Sequence, residues 1–558
     1  MNLVFLRALK APPAAFAADA EEPIRAELFS IERLEQHAES LAAAQPVTTR
    51  PTTRRRFAKR LRENGRVLLE AYRAIAVAIG EERAITPAAE WLVDNFHIVE
   101  EQIREIRDDL PRGFYRQLPK LADGPLEGYP RVFGIAWAFV AHTDSRFDPQ
   151  MLGKFVQAYQ RVQPLTIGEL WAVAITLRIV LVENLRRSAE RIVSGRAARQ
   201  EADGLANRLL GVGGREAEPA ETALKGLEET PLPRAFAVQL VQRLREQDPK
   251  VTPALLWLDR RLLAQGTTAD EIVRAEHHGQ GAMNVTVRNV ITSMRLISAV
   301  DWAEFFESVS HVDAVLRAGS DFAEMDFPTR DRYRHAIEEL ARGSGHTEIK
   351  VARLAVAAAK RAAPEGPIRD GATARREHDP GYYLISRGRH AVETELGFRA
   401  PFRDWIVRAN AAAGILGYLG TIAAVSAIIF AMPLLALLES GVSGWTRFIL
   451  AILAVIPAMD AAVSLVNRAV TICIGPATLP GLELHDGVPV GLRTIVVVPT
   501  LLTTRAELEE QVERLEVHYL ASSLDGDLRF ALLSDWTDSA TESAPGDDEL
   551  LGVAAAAI

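Results

Sequence analysis

A single cysteine, Cys473, stands in 558 residues. That excludes an intrachain disulfide and any cysteine-rich metal site, and it suits a reducing compartment. Basic residues are not gathered either. Lys and Arg number 64 against 73 Asp and Glu, a formal net charge of −9. No dense basic patch interleaves with aromatics, so nucleic acid is not an expected partner. The chain has no GxxxxGK[ST] phosphate loop and no serine nucleophile elbow. The opening MNLVFLRALKAPPAAFAADA mimics a signal peptide, but Arg7 and Lys10 break its apolar core. It is read as a cytosolic start.

Long apolar runs, by contrast, are present. From Ala411 to Leu438 there is no charged residue. About 20 apolar residues at 1.5 Å rise cross the ~30 Å hydrocarbon layer, so this run spans a bilayer. Gly414, Gly417, Gly420 and Pro433 are tolerable where neighbouring helices satisfy freed backbone groups. A short Glu439–Thr446 connection leads to a second run, Phe448 to Cys473, which carries Asp460, Asn467 and Arg468. A carboxylate at Asp460 implies an interhelical partner or a place near the far interface. Arg399, Arg403 and Arg408 precede the pair, Arg468 and Arg493 lie on its far side, and only Arg447 sits in the turn. The positive-inside rule puts both flanks in the cytoplasm, with Trp405 and Trp445 at the interfaces.

The rest divides around this hairpin. Residues 1–203 form a first helical block: Val67–Ile79, Trp91–Ile106, Leu152–Gln163 and Ile167–Ile192 carry apolar residues every three or four positions. Thr166 and Glu169 make a capping box for the last of these, and breaks fall at Asp109–Pro111, Gly124–Pro130 and Asp148–Pro149. Residues 204–233 are glycine- and charge-rich and read as a partly mobile connector. Residues 234–410 hold a second helical block (Thr268–Ser298, Ala299–Leu316, Arg330–Ala341, Glu348–Ala362) and a polar loop, Gly366–Gly381. A strand or turn plus a helix is expected over Tyr382–Gly397. The hairpin takes residues 411–473, and residues 474–558 change character. There TIVVVP (494–499), a capped helix from Thr504 to about Leu520, and LRFALLS (528–534) make a parallel βαβ unit. The fold class is mainly α: a helical cytosolic module, a two-helix hairpin, then one βαβ unit.

Ligands of open parallel sheets sit beyond the carboxyl ends of the strands. Two segments occupy that edge, Pro499–Thr504 and Asp535–Asp538. Asp535, following a buried strand, is placed to accept hydrogen bonds from a nucleotide base or ribose, or else to cap the turn after it. Thr500, Thr503 and Thr504 can donate to a nucleotide, although Thr504 is accounted for as a cap. Asp538 and Glu542 read as solvated charges. His277 and His278 are adjacent on a helix and point about 100° apart, so they do not converge on one ion. His485-Asp486 is equally weak, and Asp94–His97 belongs to packing.

ELFSIERLEQHAESLAAAQ (27–45), residues 84–121, LTIGELWAVAITLRIVLVENLRR (165–187), MDFPTRDRYR (325–334) and GYYLISRGR (381–389) together resemble the amino-terminal region of cyclic β-1,2-glucan synthases. Residues 496–538 resemble the opening of that family's inverting GT-A-like glycosyltransferase domain. The resemblance implies a bacterial inner-membrane enzyme with both of this chain's ends cytosolic, making cyclic β-1,2-glucan from UDP-glucose on a protein-linked primer. It implies that Asp535 contacts the uridine part of the donor, with Thr500 beside it. A divalent cation, Mg or Mn, is expected for the intact enzyme, but no ligands for it are identifiable in this chain. Asp525-Gly-Asp527 has the Asp-x-Asp form yet lies before the second strand, at the wrong sheet edge. The primer tyrosine is not placed among the nine. The chain is expected to be truncated inside the transferase domain and inactive alone. The alternative is a non-catalytic, membrane-anchored helical scaffold.

Overall fold

The computed structural model describes residues 21–51, 57–109, 113–212, 216–227, 231–245, 252–362, 376–401, 405, 408, 412–442, 444–473, 479–484, 487–522, 526–541 and 544–557. The amino-terminal twenty residues, Pro111, Arg403, Ala411, His485, Asp486, Asp525 and Glu542 lie outside them, as does most of the Gly366–Gly381 loop. The chain forms two compact units that divide between Asp313 and Ala314.

In the first unit the helices of eight or more residues are α1 (Ile31–Ala44), α2 (Phe57–Gly80), α3 (Pro87–Asp94), α4 (Phe96–Asp108), α5 (Arg131–His142), α6 (Pro149–Val162), α7 (Ile167–Leu210), α8 (Arg234–Leu244), α9 (Thr252–Ala264), α10 (Ala269–Ala299) and α11 (Trp302–Val309). A two-residue antiparallel pair, β1 (Val47–Thr48) with β2 (Lys120–Leu121), is the only sheet among its described residues. The expected Trp91–Ile106 helix is broken at Asn95, whose Nδ2 donates to the Trp91 carbonyl at 2.9 Å.

Helix α7 is the spine, packed by α2, α5, α8 and α10. It starts at the expected capping box: Glu169 N–H donates to Thr166 Oγ1 at 3.2 Å, and Thr166 N–H to Glu169 Oε2 at 3.0 Å. It runs past Ile192 and ends at Gly211, whose φ of 65° is left-handed. Leu205, Ala206, Leu209, Leu224 and Leu232, all in the stretch read as a connector, are buried with α8 and α9. The composition there suggests mobility, but these five side chains are fixed by tertiary burial. Helix α5 lacks period because it is buried on nearly every side.

The core of this unit holds ion pairs. Arg131 grips Glu169 at 2.6 Å, and Glu183, with no exposed surface, receives Arg60, Asn64, Arg186 and Arg187. Asp144 and Ser145 take φ of 48° and 64°, and the turn they form is anchored by Thr286 (2.6 Å to Asp144) and Ser293 (2.7 Å to the Ser145 carbonyl).

The second unit opens with α12 (Phe327–Ser344), α13 (Glu348–Ala362), α14 (Pro380–Ile385) and α15 (Arg389–Leu396). Both α14 and α15 are helical, so no strand forms over Tyr382–Gly397; Asp379 caps α14 by accepting from Gly381 N–H at 2.6 Å. Next come α16 (Gly414–Glu439) and α17 (Trp445–Cys473), both long and apolar enough to cross a bilayer, with mean hydropathy 2.4 in each. They pack together as an antiparallel hairpin. Tyr418 donates its hydroxyl to Asn467 Oδ1 at 2.6 Å across the pair. Tyr418→Phe is expected to weaken the hairpin by about 0.6–1.7 kcal/mol, the range for interhelical bonds in membranes, measured as steric-trap unfolding in bicelles. Asp460, by contrast, is exposed and engages no described partner across the hairpin.

After α17 the chain returns to α12. Gly481 N–H donates to Thr329 Oγ1 at 2.9 Å, and Asp326 N–H to the Gly481 carbonyl at 3.0 Å. Met325 and Leu482 form an antiparallel bridge, and Arg330 pairs with Glu483 at 3.0 Å. A Cβ at Gly481 would lie 2.6 Å from Asp326 Oδ2, so a side chain there would have to displace the carboxylate that caps α12. Both flanks of the hairpin therefore meet at one end of it.

The chain closes with β3 (Thr494–Leu502), α18 (Arg505–Ala521), β4 (Leu528–Trp536) and α19 (Asp547–Ala557). β3 and β4 are parallel in the register Thr494↔Leu528 through Leu502↔Trp536.

Candidate functional site

The βαβ unit sets the geometry of the candidate site. Side chains alternate along each strand, so the parallel register assigns them to faces. Val496, Val498, Thr500 and Leu502 share one face with Phe530, Leu532 and Ser534. The helices cover that face: Tyr519 of α18 meets Phe530 edge-on at 5.8 Å, and Leu502 and Leu532 pack with Leu508, Leu550 and Ala554. The opposite face carries Ile495, Val497, Leu501, Leu533 and Asp535, and nothing among the described residues covers it. Leu501 is 59% and Leu533 64% exposed.

Asp535 thus lies within β4, one residue before its end, and not after it as expected from the sequence. Nor is the strand buried, because β4 has one neighbour and one covered face. One Asp535 carboxylate oxygen accepts from Trp536 N–H at 2.8 Å; the side chain is otherwise open. Thr500 pairs with Ser534, while Asp535 pairs with Leu501. The two expected donor contacts therefore project from opposite faces, at adjacent levels of the same strand ends. Both border a groove of about 440 Å³ over Pro499, Thr500, Leu501, Leu533, Ser534 and Asp535. That volume is within the range of small-ligand pockets, although this groove is open on one side.

The helix start beside the groove is settled locally. Thr504 Oγ1 accepts from Glu507 N–H at 3.3 Å, but the Glu507 carboxylate receives the Thr503 and Thr504 hydroxyls and not the cap backbone. Those hydroxyls, Thr503 first, hold the Glu507 carboxyl below its usual range. Thr503 and Thr504 are thus engaged in capping. At the other edge, Asp527 is held by Arg493 at 2.5 Å and Arg529 at 3.5 Å, and its backbone joins the ends of both strands. Its Oδ2 is taken by Arg493, while Oδ1 has the Arg529 charge nearby but no hydrogen bond. Among the described residues no group of three His, Cys, Asp or Glu side chains converges. His277 and His278 are exposed on α10, and Asp538 is exposed beyond β4.

Sequence reasoning missed α19, which closes the covered face; its Ala-rich repeat (GVAAAA) carries little amphipathic signal. It also missed the strap at Gly481, where the one visible sign is a glycine in an otherwise unpatterned stretch.

No family model matches the chain. Over 550 residues, 97% of its length, it is 37% identical to the cyclic beta-(1,2)-glucan synthase NdvB of Rhizobium meliloti (strain 1021). The chain spans about a fifth, 19%, of that relative. The segments that carried the resemblance in sequence fall at α1, α3–α4, α7, α12, α14 and the βαβ unit, in both structural units. Across nearly all of its length, this chain is thus similar to a part of a cyclic beta-(1,2)-glucan synthase.

Proposed function

We propose that the chain is a part of a membrane-bound inverting glycosyltransferase that builds cyclic β-1,2-glucan from UDP-glucose. In this reading the helical units and the hairpin hold the first βαβ unit of a GT-A-like domain at the inner leaflet, with both flanks cytosolic. Arg399 and Arg408 before α16 against a lone Arg447 in the first turn of α17 support that orientation. The observation that carries the donor role is the placement of Asp535: an open carboxylate at the carboxyl end of a parallel pair, over a groove. A carboxylate there accepts from the N–H of a uracil ring or from ribose hydroxyls, and such charged bonds are the stronger kind. The bare apolar face beside it fits a sheet that is completed by further elements. In-line transfer also needs a base for the acceptor hydroxyl and a counter-charge for the leaving diphosphate. The described residues converge on neither, so the Mg or Mn ion and the base belong to the proposal for the longer enzyme only.

The test is UDP binding to the detergent-purified chain by saturation-transfer NMR. Asp535→Asn is expected to weaken binding by about 10- to 100-fold, the worth of one or two charged hydrogen bonds, with an unchanged melting curve. Thr500→Val, on the helix-covered face, is expected to weaken it less. UDP binding that is absent, or indifferent to Asp535→Asn, overturns the donor role and favours the scaffold reading.

A further inference from the structure

The half of α17 nearer the strap carries polar residues on one line. Asp460, Ser464 and Arg468 recur at every fourth position, so the helical step keeps them within about 80° of arc. All three are exposed, and none has a hydrogen bond or ion pair with a described side chain. The buried positions of the same helix are Ala458, Ala462 and Val466. Their mean direction is about 160° away round the axis, while Asn467, about 20° from Asp460, receives the Tyr418 hydroxyl of α16. Asp460 is also deep. It lies 15 residues from Trp445 and 13 from Cys473, about 22 and 20 Å along the axis.

A carboxylate facing hydrocarbon at that depth is costly, and intramembrane charges face a protein interior or water and find partners there. The hairpin itself supplies none. Among the described residues no third helix is long and apolar enough to cross a bilayer. A second copy is a poor occupant. Two copies related by an axis along the membrane normal would set Asp460 against Asp460 and Arg468 against Arg468, like against like. Charge complementarity demands the reverse order.

We propose that this line of α17 is the docking face for a third membrane helix. That helix carries a Lys or Arg level with Asp460, and a carboxylate or carboxamide level with Arg468, about 12 Å further along. Ser464 lies between the two charges, and its small side chain lets the backbones approach closely. The proposal does not depend on the donor role of Asp535.

The experiment uses the full chain in lipid nanodiscs, with Cys473→Ser and a donor dye on Glu439→Cys. The probes are synthetic 24-residue Leu/Ala membrane helices carrying an acceptor dye and a central Lys, Glu or Leu. The Lys helix is expected to associate about tenfold more tightly than the Leu helix, as one interhelical polar bond allows. Asp460→Asn should abolish that preference, and Asp460→Lys should transfer it to the Glu helix, while circular dichroism stays unchanged. Equal binding of the Lys and Leu helices overturns the proposal. So does stronger energy transfer between two labelled chains than between chain and probe. Rapid labelling of Ser464→Cys by a membrane-impermeant maleimide would show that the line faces water, and would overturn it as well.

Discussion

Glu183→Gln is expected to cost the first unit about 3–5 kcal/mol, the range for breaking a buried ion pair from one side. The Glu183 carboxylate has no exposed surface and accepts five hydrogen bonds. Arg60 binds it through two nitrogens, at 2.6 and 2.8 Å, Asn64 adds one at 2.8 Å, and Arg186 and Arg187 add one each at 3.0 Å. Arg187 is fixed further by lying over the Trp137 ring at 4.9 Å. Glutamine keeps the shape but removes the charge, leaving Arg60 without its carboxylate and Arg186 and Arg187 with only Glu21 and Glu190. Urea unfolding followed by circular dichroism measures the loss; a value under 1 kcal/mol would mean that water or a rearrangement absorbs the missing charge.

The same site makes stability depend on pH with a definite sign. Burial alone would push the Glu183 carboxyl up, but Arg60, Arg186 and Asn64 overturn this and hold it at about 2. A carboxyl whose folded value lies below its unfolded value stabilises above the unfolded pKa and ceases to do so as pH falls. Stability is therefore expected to drop between about pH 4.5 and pH 2. The Glu183→Gln protein should be flatter across that window.

Gly381→Ala is expected to cost about 2–4 kcal/mol in the second unit, from overpacking and a lost buried hydrogen bond. An added Cβ would lie 1.9 Å from Tyr333 Oη and 2.2 Å from its Cζ. Tyr333 cannot swing aside. It is 3% exposed, and its hydroxyl donates to Asp379 Oδ1 at 2.6 Å, the same oxygen that caps α14. Burial first, then the Asp379 charge, pushes the Tyr333 hydroxyl far above its ordinary pKa. Hydrogen exchange of α12 and α14 in the detergent-solubilised chain should rise together, and wild-type exchange in the variant would refute the clash. The double variant Tyr333→Phe/Gly381→Ala is expected to regain little, since the ring carbon clashes as well.

These sites also show what sequence carries. The capping box at Thr166, the bounds Glu348–Ala362 and the hairpin were legible because each is a local pattern of cap, period or apolar length. Asp535 was legible as the end of an apolar run but not as a residue on a bare face, since that depends on which side α18 crosses. Gly381 and Gly481 were opaque: each is dictated by a residue about 50 or 150 positions away, Tyr333 and Asp326. The fate of residues 204–233 was hidden for the same reason, its leucines meeting α8 and α9 only after the chain turns back.

The strap at Gly481 sets a leash on the groove. It is eight residue steps from Cys473, and Glu483 is eleven steps from Thr494. At no more than about 3.5 Å per residue, these reach about 28 Å and 38 Å. Whatever the sheet meets, it meets within a few nanometres of one mouth of the hairpin. Any group held at that mouth would be met at a high effective concentration, and one free in the surrounding solution would seldom be found.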